Sequence, residues 1–229
     1  MTGRPDGWSL LLPPVCCFCQ RVCRPVAGYP GICRSCLARL PLRFGAQRQL
    51  AGLAEGFSVY AAAYYQSPLR DLLLRLKFSN APQLSVALTS LLTDLVRQQV
   101  PDAAAVLAVP LHRRRLLERG YNQSGLLAKQ LAAALSLPDL SAGLVRCRET
   151  CRQSETTSRA ERLANLDQAF GIDRNLWQAW LSACPAGGRA RLVLVDDVLT
   201  TGATLAAAAR PLRQAGLAVT GVVVASNAS

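Results

Sequence analysis

Lysine is almost missing from this chain. Lys77 and Lys129 are the only two, so arginine carries nearly all of the net charge of +12. Arginine suits two-pronged contact with phosphate or carboxylate, and the same surplus also fits a merely solvated basic surface. Nucleic acid is compatible with it and not demonstrated by it. There is no uncharged apolar run long enough to cross a bilayer. The stretch Trp8–Val15 is apolar but short, is interrupted by Pro13 and Pro14, and has only Arg4 before it. No small-residue cleavage site follows, which speaks against a signal peptide. A soluble cytoplasmic protein with no membrane span is expected. A Gly-x-Gly-x-x-Gly turn after a strand is absent, as is a Walker Gly-Lys-Thr, which disfavours dinucleotide and P-loop folds. Internal repeats are absent too, and His112 is the only histidine.

What remains is a chain of 229 residues, 51% of them apolar, enough for one α/β domain and a small appended module. Residues 1–40 are rich in Cys, Pro and Arg, and 41–56 read as a linker bearing Pro41, Gly45, Gly52 and Gly56. The expected division is therefore 1–56, a metal module with linker, and 57–229, the main domain. Phe57–Tyr65, Ala104–Val109, Leu144–Cys147, Leu192–Val195 and Leu217–Ala225 read as strands. Pro68–Phe78, Leu84–Val100, Asn122–Leu137 and Thr204–Gly216 read as helices, the last stopped by glycine. Apolar strands alternating with helices predict a mostly parallel sheet covered on both faces. Ligands of such sheets sit beyond the carboxyl ends of the strands.

The segment Leu192–Thr204 therefore draws attention. A buried strand delivers Asp196 and Asp197, then Thr200, Thr201, Gly202, Ala203 and Thr204 lead into a helix. Amides at a helix start bind an anion, threonine hydroxyls add donors, and Gly202 lets backbone approach closely. The two acids can accept bonds from vicinal ribose hydroxyls or hold Mg²⁺ through water. A plain helix cap at Thr201 or Thr204 is the structural alternative. A receiver domain is ruled against, since the 32 residues after Asp197 hold no acid and no lysine.

Two further segments join it. After the strand ending at Pro110 come His112, Arg113, Arg114 and Arg115, then Arg119-Gly-Tyr-Asn-Gln-Ser. Guanidinium forks match pyrophosphate oxygens, whereas a solvated basic turn is the bland reading. His112 reads more readily as a turn or surface residue than as a general base. The second segment, Thr150–Phe170, is polar, lacks glycine and lies between strands. Taken alone it reads as an exposed amphipathic helix with local Glu–Arg pairs.

Of nine cysteines, four form Cys16-x-x-Cys19 and Cys33-x-x-Cys36, thirteen residues apart. Two such knuckles make a tetrahedral Cys₄ site for structural Zn²⁺, which would supply folding energy to a segment too short for its own core. Redox-active pairs are the alternative, and Cys17 or Cys23 could exchange into the ligand set.

The thirteen residues Leu192–Thr204 resemble the binding signature for 5-phosphoribosyl-1-pyrophosphate (PRPP) in type I phosphoribosyltransferases. With the cysteine pairs before it, the chain resembles the ComF family, including its GntX type. The likeness runs through Cys16–Cys36, Leu74–Phe78, Val109–Ser124, Thr150–Phe170 and Leu192–Thr204. It implies a type I phosphoribosyltransferase-like α/β fold behind a small Cys₄ zinc module, with PRPP or a related ribose phosphate and Mg²⁺ as ligands. Asp196 and Asp197 would then hold ribose and metal, Thr200–Thr204 the 5′-phosphate, and Arg113–Arg115 beside His112 the pyrophosphate. Arg159 and Arg162 would close over them in a mobile loop like that of the amidotransferase-like branch. ComF-like proteins are linked to DNA uptake in natural competence, which implies single-stranded DNA and a competence helicase or recombination protein as partners. A non-catalytic DNA-handling factor and a zinc-ribbon adaptor are the competing readings.

Overall fold

The computed structural model describes residues 13–43, 47–49 (backbone only), 57–146, 169–183 and 191–227. Arg159, Arg162, Cys147, Cys151 and Cys184 lie outside the described residues.

The chain builds α1 (Arg34–Leu37), β1 (Gln47–Gln49), β2 (Ser58–Tyr64), α2 (Leu69–Phe78), α3 (Leu84–Gln99) and β3 (Ala103–Ala108). There follow α4 (Arg113–Arg119), α5 (Gln123–Leu135), β4 (Leu144–Arg146), β5 (Phe170–Ile172) and α6 (Arg174–Ala183). The last elements are β6 (Arg191–Leu199), α7 (Ala203–Gln214) and β7 (Ala218–Ser226). The main sheet runs β1-β2-β7-β6-β3. Its four long strands are parallel, and β1 adds an antiparallel edge. The segment read from the sequence as linker thus takes part in the sheet: Leu42 bridges Ala63, and Gln47–Gln49 pairs with Ser58–Tyr60. β4 and β5 form a separate antiparallel ribbon.

Period-two burial explains the layering. Val193 and Val195 of β6 and Val106 of β3 join a cluster with α2, α3 and α5. Leu192, Leu194, Ala105 and Leu107 face the other way, into a cluster with α7 and Trp177 of α6. α3 shows the matching helical stripe, since Leu84, Leu88, Leu91, Leu92 and Leu95 are all buried. Burying each such leucine stabilises by about 2 kcal/mol. α7 instead offers Ala206–Ala209, small side chains that let it settle close on the sheet. Gly221 of β7 shows how close: a Cβ there would meet Leu205 Cδ2 at 2.6 Å, Val59 Cγ2 at 3.0 Å and Phe57 Cζ at 3.2 Å. Gly221→Ala is expected to destabilise by about 1–3 kcal/mol through overpacking, measurable as a lowered urea midpoint.

The N-terminal module packs on the same body. Ile32, Cys16 and Cys36 bury themselves beside Ala87 of α3. The Tyr29 hydroxyl donates to the Asp94 carboxylate on α3, and Arg75 Nη1 of α2 donates to the Cys17 carbonyl at 2.9 Å. Among the described residues, no helix is long and apolar enough to cross a membrane.

Candidate functional site

β6 outruns one of its neighbours. β3 follows it only to Val195, opposite Ala108, whereas β7 pairs with it as far as Leu199, opposite Ser226. Regular pairing therefore continues past the expected end at Val195, and both acids belong to β6. They stand where β3 has left, at the carboxyl edge of the sheet where ligands of such folds bind.

Three elements converge on the acid pair. Asp196 Oδ1 accepts from Ser124 Oγ of α5 at 2.7 Å and from the Asp197 N–H at 2.9 Å. Asp197 Oδ2 lies 3.0 Å from Lys77 Nζ at the end of α2, in a pair that is mostly buried. Burial, then the neighbouring Asp197 charge, pushes the Asp196 carboxyl up to about 7; Ser124, the Asp197 amide and Lys77 offset only part of that. Near neutral pH the pair thus gains or loses a proton easily, and Lys77 balances one of its charges. The surrounding backbone is pinned by the Arg119–Ser124 segment. Gly120 ends α4 at φ +77°, the Tyr121 hydroxyl donates to the Leu76 carbonyl, and Asn122 Nδ2 donates to the Val109 carbonyl at 3.1 Å.

The turn after β6 is tight. Gly202 is the residue before α7 and takes φ +79°, a left-handed conformation that disfavours a side chain. Thr200 and Thr201 are exposed, and Thr201 Oγ1 accepts a long bond of 3.4 Å from the Ala203 N–H. The helix begins at Ala203, one residue before the expected Thr204.

The arginine run differs from its expected form. Arg113–Arg115 open the short helix α4 rather than a loop, because His112 caps it: Nδ1 accepts from the Arg114 N–H at 3.2 Å. His112 thus has the turn role, and it is half-buried. Arg114 Nε pairs with Glu118 one turn on at 3.0 Å, with both side chains exposed. Burial and the Arg115 charge depress the pKa of Arg146 on β4, while Asp196 works the other way. Arg146 lies 5.3 Å over the Phe170 ring of β5, so the ribbon flanking residues 147–168 carries a guanidinium toward the acids. Sequence reading assigned no role to Lys77, Ser124 or Arg146. Lys77 had two signals, its rarity among so many arginines and its place in Leu74–Phe78, one of the segments that carry the family likeness.

In the N-terminal module, the Sγ atoms of Cys16, Cys19, Cys33 and Cys36 lie within 4.8 Å of one another and could hold a metal ion. Cys19 and Cys33 sulfurs are 4.0 Å apart. That is far beyond a disulfide and close to the ~3.8 Å edge of a tetrahedron with 2.3 Å zinc–sulfur bonds. Burial alone would raise the Cys16 thiol, but the amides of Cys19, Cys33 and Phe18 outweigh it and bring it down to about 6. Cys36 is pushed up to about 12 by burial and by the neighbouring sulfurs. One thiolate is favoured and further ones are resisted, a resistance that a divalent cation would remove. Cys17 is pushed up to about 12 by burial and the nearby Cys16 charge. Neither it nor Cys23 joins the four-sulfur group.

No family model matches the chain. Among solved structures it is similar to adenine phosphoribosyltransferase of Leishmania tarentolae, at 13% identity and a TM-score of 0.41, covering 79% of this chain and 94% of the other. Among curated proteins it is 32% identical over 222 residues to the DNA utilization protein YhgH of Escherichia coli O157:H7, covering 89% of this chain and 86% of that one. Competence protein F of Haemophilus influenzae is 34% identical over 161 residues, 67% of this chain and 66% of its own length. Competence protein ComFC of Bacillus subtilis is 31% identical over 167 residues, 72% of this chain and 61% of the other. With a cysteine cluster ahead of a mostly parallel sheet, and a likeness to YhgH that runs through nearly nine-tenths of its length, the chain belongs to the ComF/YhgH family.

Proposed function

We propose that the strand end at Asp196 and Asp197 binds PRPP or a closely related ribose phosphate together with Mg²⁺. The observation that carries this is the juxtaposition of a half-neutralised acid pair with a glycine-started helix on one strand end. The acids suit vicinal hydroxyls, and their hard oxygens suit Mg²⁺. Thr200, Thr201 and Thr204, with the first amides of α7, suit the 5′-phosphate. Arg113 and Arg115, at the start of α4, suit pyrophosphate, Arg114 being tied to Glu118. Arg159 and Arg162 are proposed to close the site. When bound, Mg²⁺ would neutralise charge on the leaving pyrophosphate. Cys16, Cys19, Cys33 and Cys36 are proposed to hold a structural Zn²⁺. The relatives named for DNA utilization and competence support a cellular role in DNA handling, which we place in the cytoplasm.

Isothermal titration of Mg–PRPP into the wild type and into Asp196→Asn/Asp197→Asn tests this. About 100-fold or greater weakening is expected, since two charge-assisted bonds at ~1.5 kcal/mol each are lost. Equal affinity would reject the site.

One observation favours a second reading, a non-catalytic factor that grips single-stranded DNA. Phe78 is 70% and Leu117 76% exposed, and the Arg119 guanidinium stands 5.3 Å over the Phe78 ring. Beside the exposed Arg113–Arg115, this makes a stacking platform with cationic flanks. Tight, strongly salt-dependent binding of an oligonucleotide by a protein that leaves PRPP intact would favour it.

A further inference from the structure

Lys77 meets the acid pair as a lysine in a chain whose basic residues are nearly all arginine. Its Nζ lies 3.0 Å from Asp197 Oδ2, and the two side chains keep 19% and 11% of their surface open to water. The ion pair is mostly buried but not sealed. The backbone that carries Lys77 is fixed. Leu72, Leu73 and Leu76 of α2 are buried, and the Leu76 carbonyl accepts from the Tyr121 hydroxyl. The next residue, Phe78, is exposed, so α2 ends at the surface. Movement at this corner therefore belongs to the flexible stem of the lysine, not to the helix.

A brace between α2 and β6 would need only the ion pair. An ammonium this close to one acid also governs what else the two acids can hold. A bare dication brings two positive charges beside Nζ, and like charges repel strongly at such range in a part-buried site. A dication carried by a diphosphate brings the opposite net charge and offers oxygens to the ammonium. Lysine suits that exchange, being a compact charge with rotatable donors on a flexible stem. A planar arginine fork would favour staying locked on the carboxylate.

We infer that Lys77 is a specificity residue of this strand end: it keeps a bare divalent cation off Asp196 and Asp197, and it passes to the phosphate oxygens of a ligand that carries the cation in. The inference rests on the ribose-phosphate reading. Before the ligand binds, Lys77 supplies the positive charge beside Asp197. With the ligand bound, Asp197 is released to accept from ribose hydroxyls, and Lys77 holds phosphate.

The test compares wild type, Lys77→Met and Lys77→Arg with two probes. Mn²⁺ alone is followed by electron paramagnetic resonance, counting only the binding that Asp196→Asn/Asp197→Asn removes. Mg–PRPP is followed by calorimetry. Lys77→Met is expected to bind Mn²⁺ about tenfold more tightly than wild type, and Mg–PRPP about tenfold less tightly. Lys77→Arg keeps the charge and should leave Mn²⁺ as weakly bound as in the wild type. A brace would lower the melting temperature of Lys77→Met without moving the two affinities in opposite directions, and that result would overturn the inference. The wild type gives an independent check. ¹³C-labelled lysine marks only Lys77 and Lys129, and Lys77→Arg identifies the Lys77 signal. That signal should shift when Mg–PRPP saturates the protein, and an unmoved signal would equally overturn the inference. Failure of Mg–PRPP to bind the wild type would instead remove the proposed function, while the Mn²⁺ comparison would still decide whether Lys77 guards the acids.

Discussion

Cys36→Ala is expected to lower the thermal midpoint by about 10 °C and to abolish metal retention. Four sulfurs within 4.8 Å of one another form a closed donor set, and two of them, on Cys16 and Cys36, belong to buried residues. Without a cation, the lowered Cys16 and the raised Cys36 describe a cluster that resists full ionisation. A metal at its centre must overcome that resistance, and the net binding free energy is still of order 10 kcal/mol in isolated zinc peptides. Only part of it should appear as lost stability here, because the module also docks through Ile32, Tyr29 and Cys17. A net loss of about 3–5 kcal/mol is reasonable, and at 2–4 °C per kcal/mol for a chain of this size it gives the stated shift. Calorimetry with metal analysis checks it: one metal per chain in the wild type and none in Cys36→Ala. Cys17→Ser is the control, since Cys17 lies outside the four-sulfur group. If Cys17→Ser loses the metal as completely, the ligand set is wrong.

The contrast between the cysteine cluster and the acid pair shows what a sequence makes visible. The cysteine cluster is local, each pair lying on one knuckle, so spacing alone located it. The sheet was legible for a similar reason: Leu192–Val195 is apolar on both faces because helices cover both, and such runs announce a parallel strand. The acid pair was found because the turn chemistry of Thr200–Gly202 is contiguous with it. What orients that pair was not legible. Ser124 reaches Asp196 across 72 residues, and Lys77 arrives from α2 through packing that no spacing rule encodes. The Arg113–Arg115 helix was misread as a loop although Arg114 and Glu118 stood four apart, because the capping role of His112 was not weighed. β6 was drawn too short for the opposite reason. Aspartates have poor strand propensity, and β7 overrides it by pairing with β6 past both acids to Leu199, opposite Ser226.

Asp196→Asn and Asp197→Asn, isosteric changes at adjacent residues, are expected to act on stability with opposite signs. The Asp196 carboxyl is raised from 3.8 to about 7 in the folded protein, by burial first and then by the Asp197 charge. Between those two pH values the folded chain keeps a proton that the unfolded chain has released. The corresponding stability is full below about pH 4 and is lost as pH rises through 7, a swing of a few kcal/mol. Asparagine keeps the oxygen that accepts from Ser124 and the Asp197 amide, and it cannot ionise. Asp196→Asn should therefore raise the urea midpoint most at pH 8 and only about a third as much at pH 5, while weakening Mg–PRPP binding. Asp197→Asn does the reverse, because it strands the Lys77 ammonium, whose side chain is only 19% exposed. A buried charge left without its partner costs about 3–5 kcal/mol, and the part-buried position of Lys77 places the expected loss at the low end. Urea unfolding at both pH values separates the cases. If Asp196→Asn destabilises at pH 8 as Asp197→Asn does, the two acids share one structural role. Stability gained at pH 8 with binding lost would instead mark Asp196 as a strained charge that the fold keeps for a ligand.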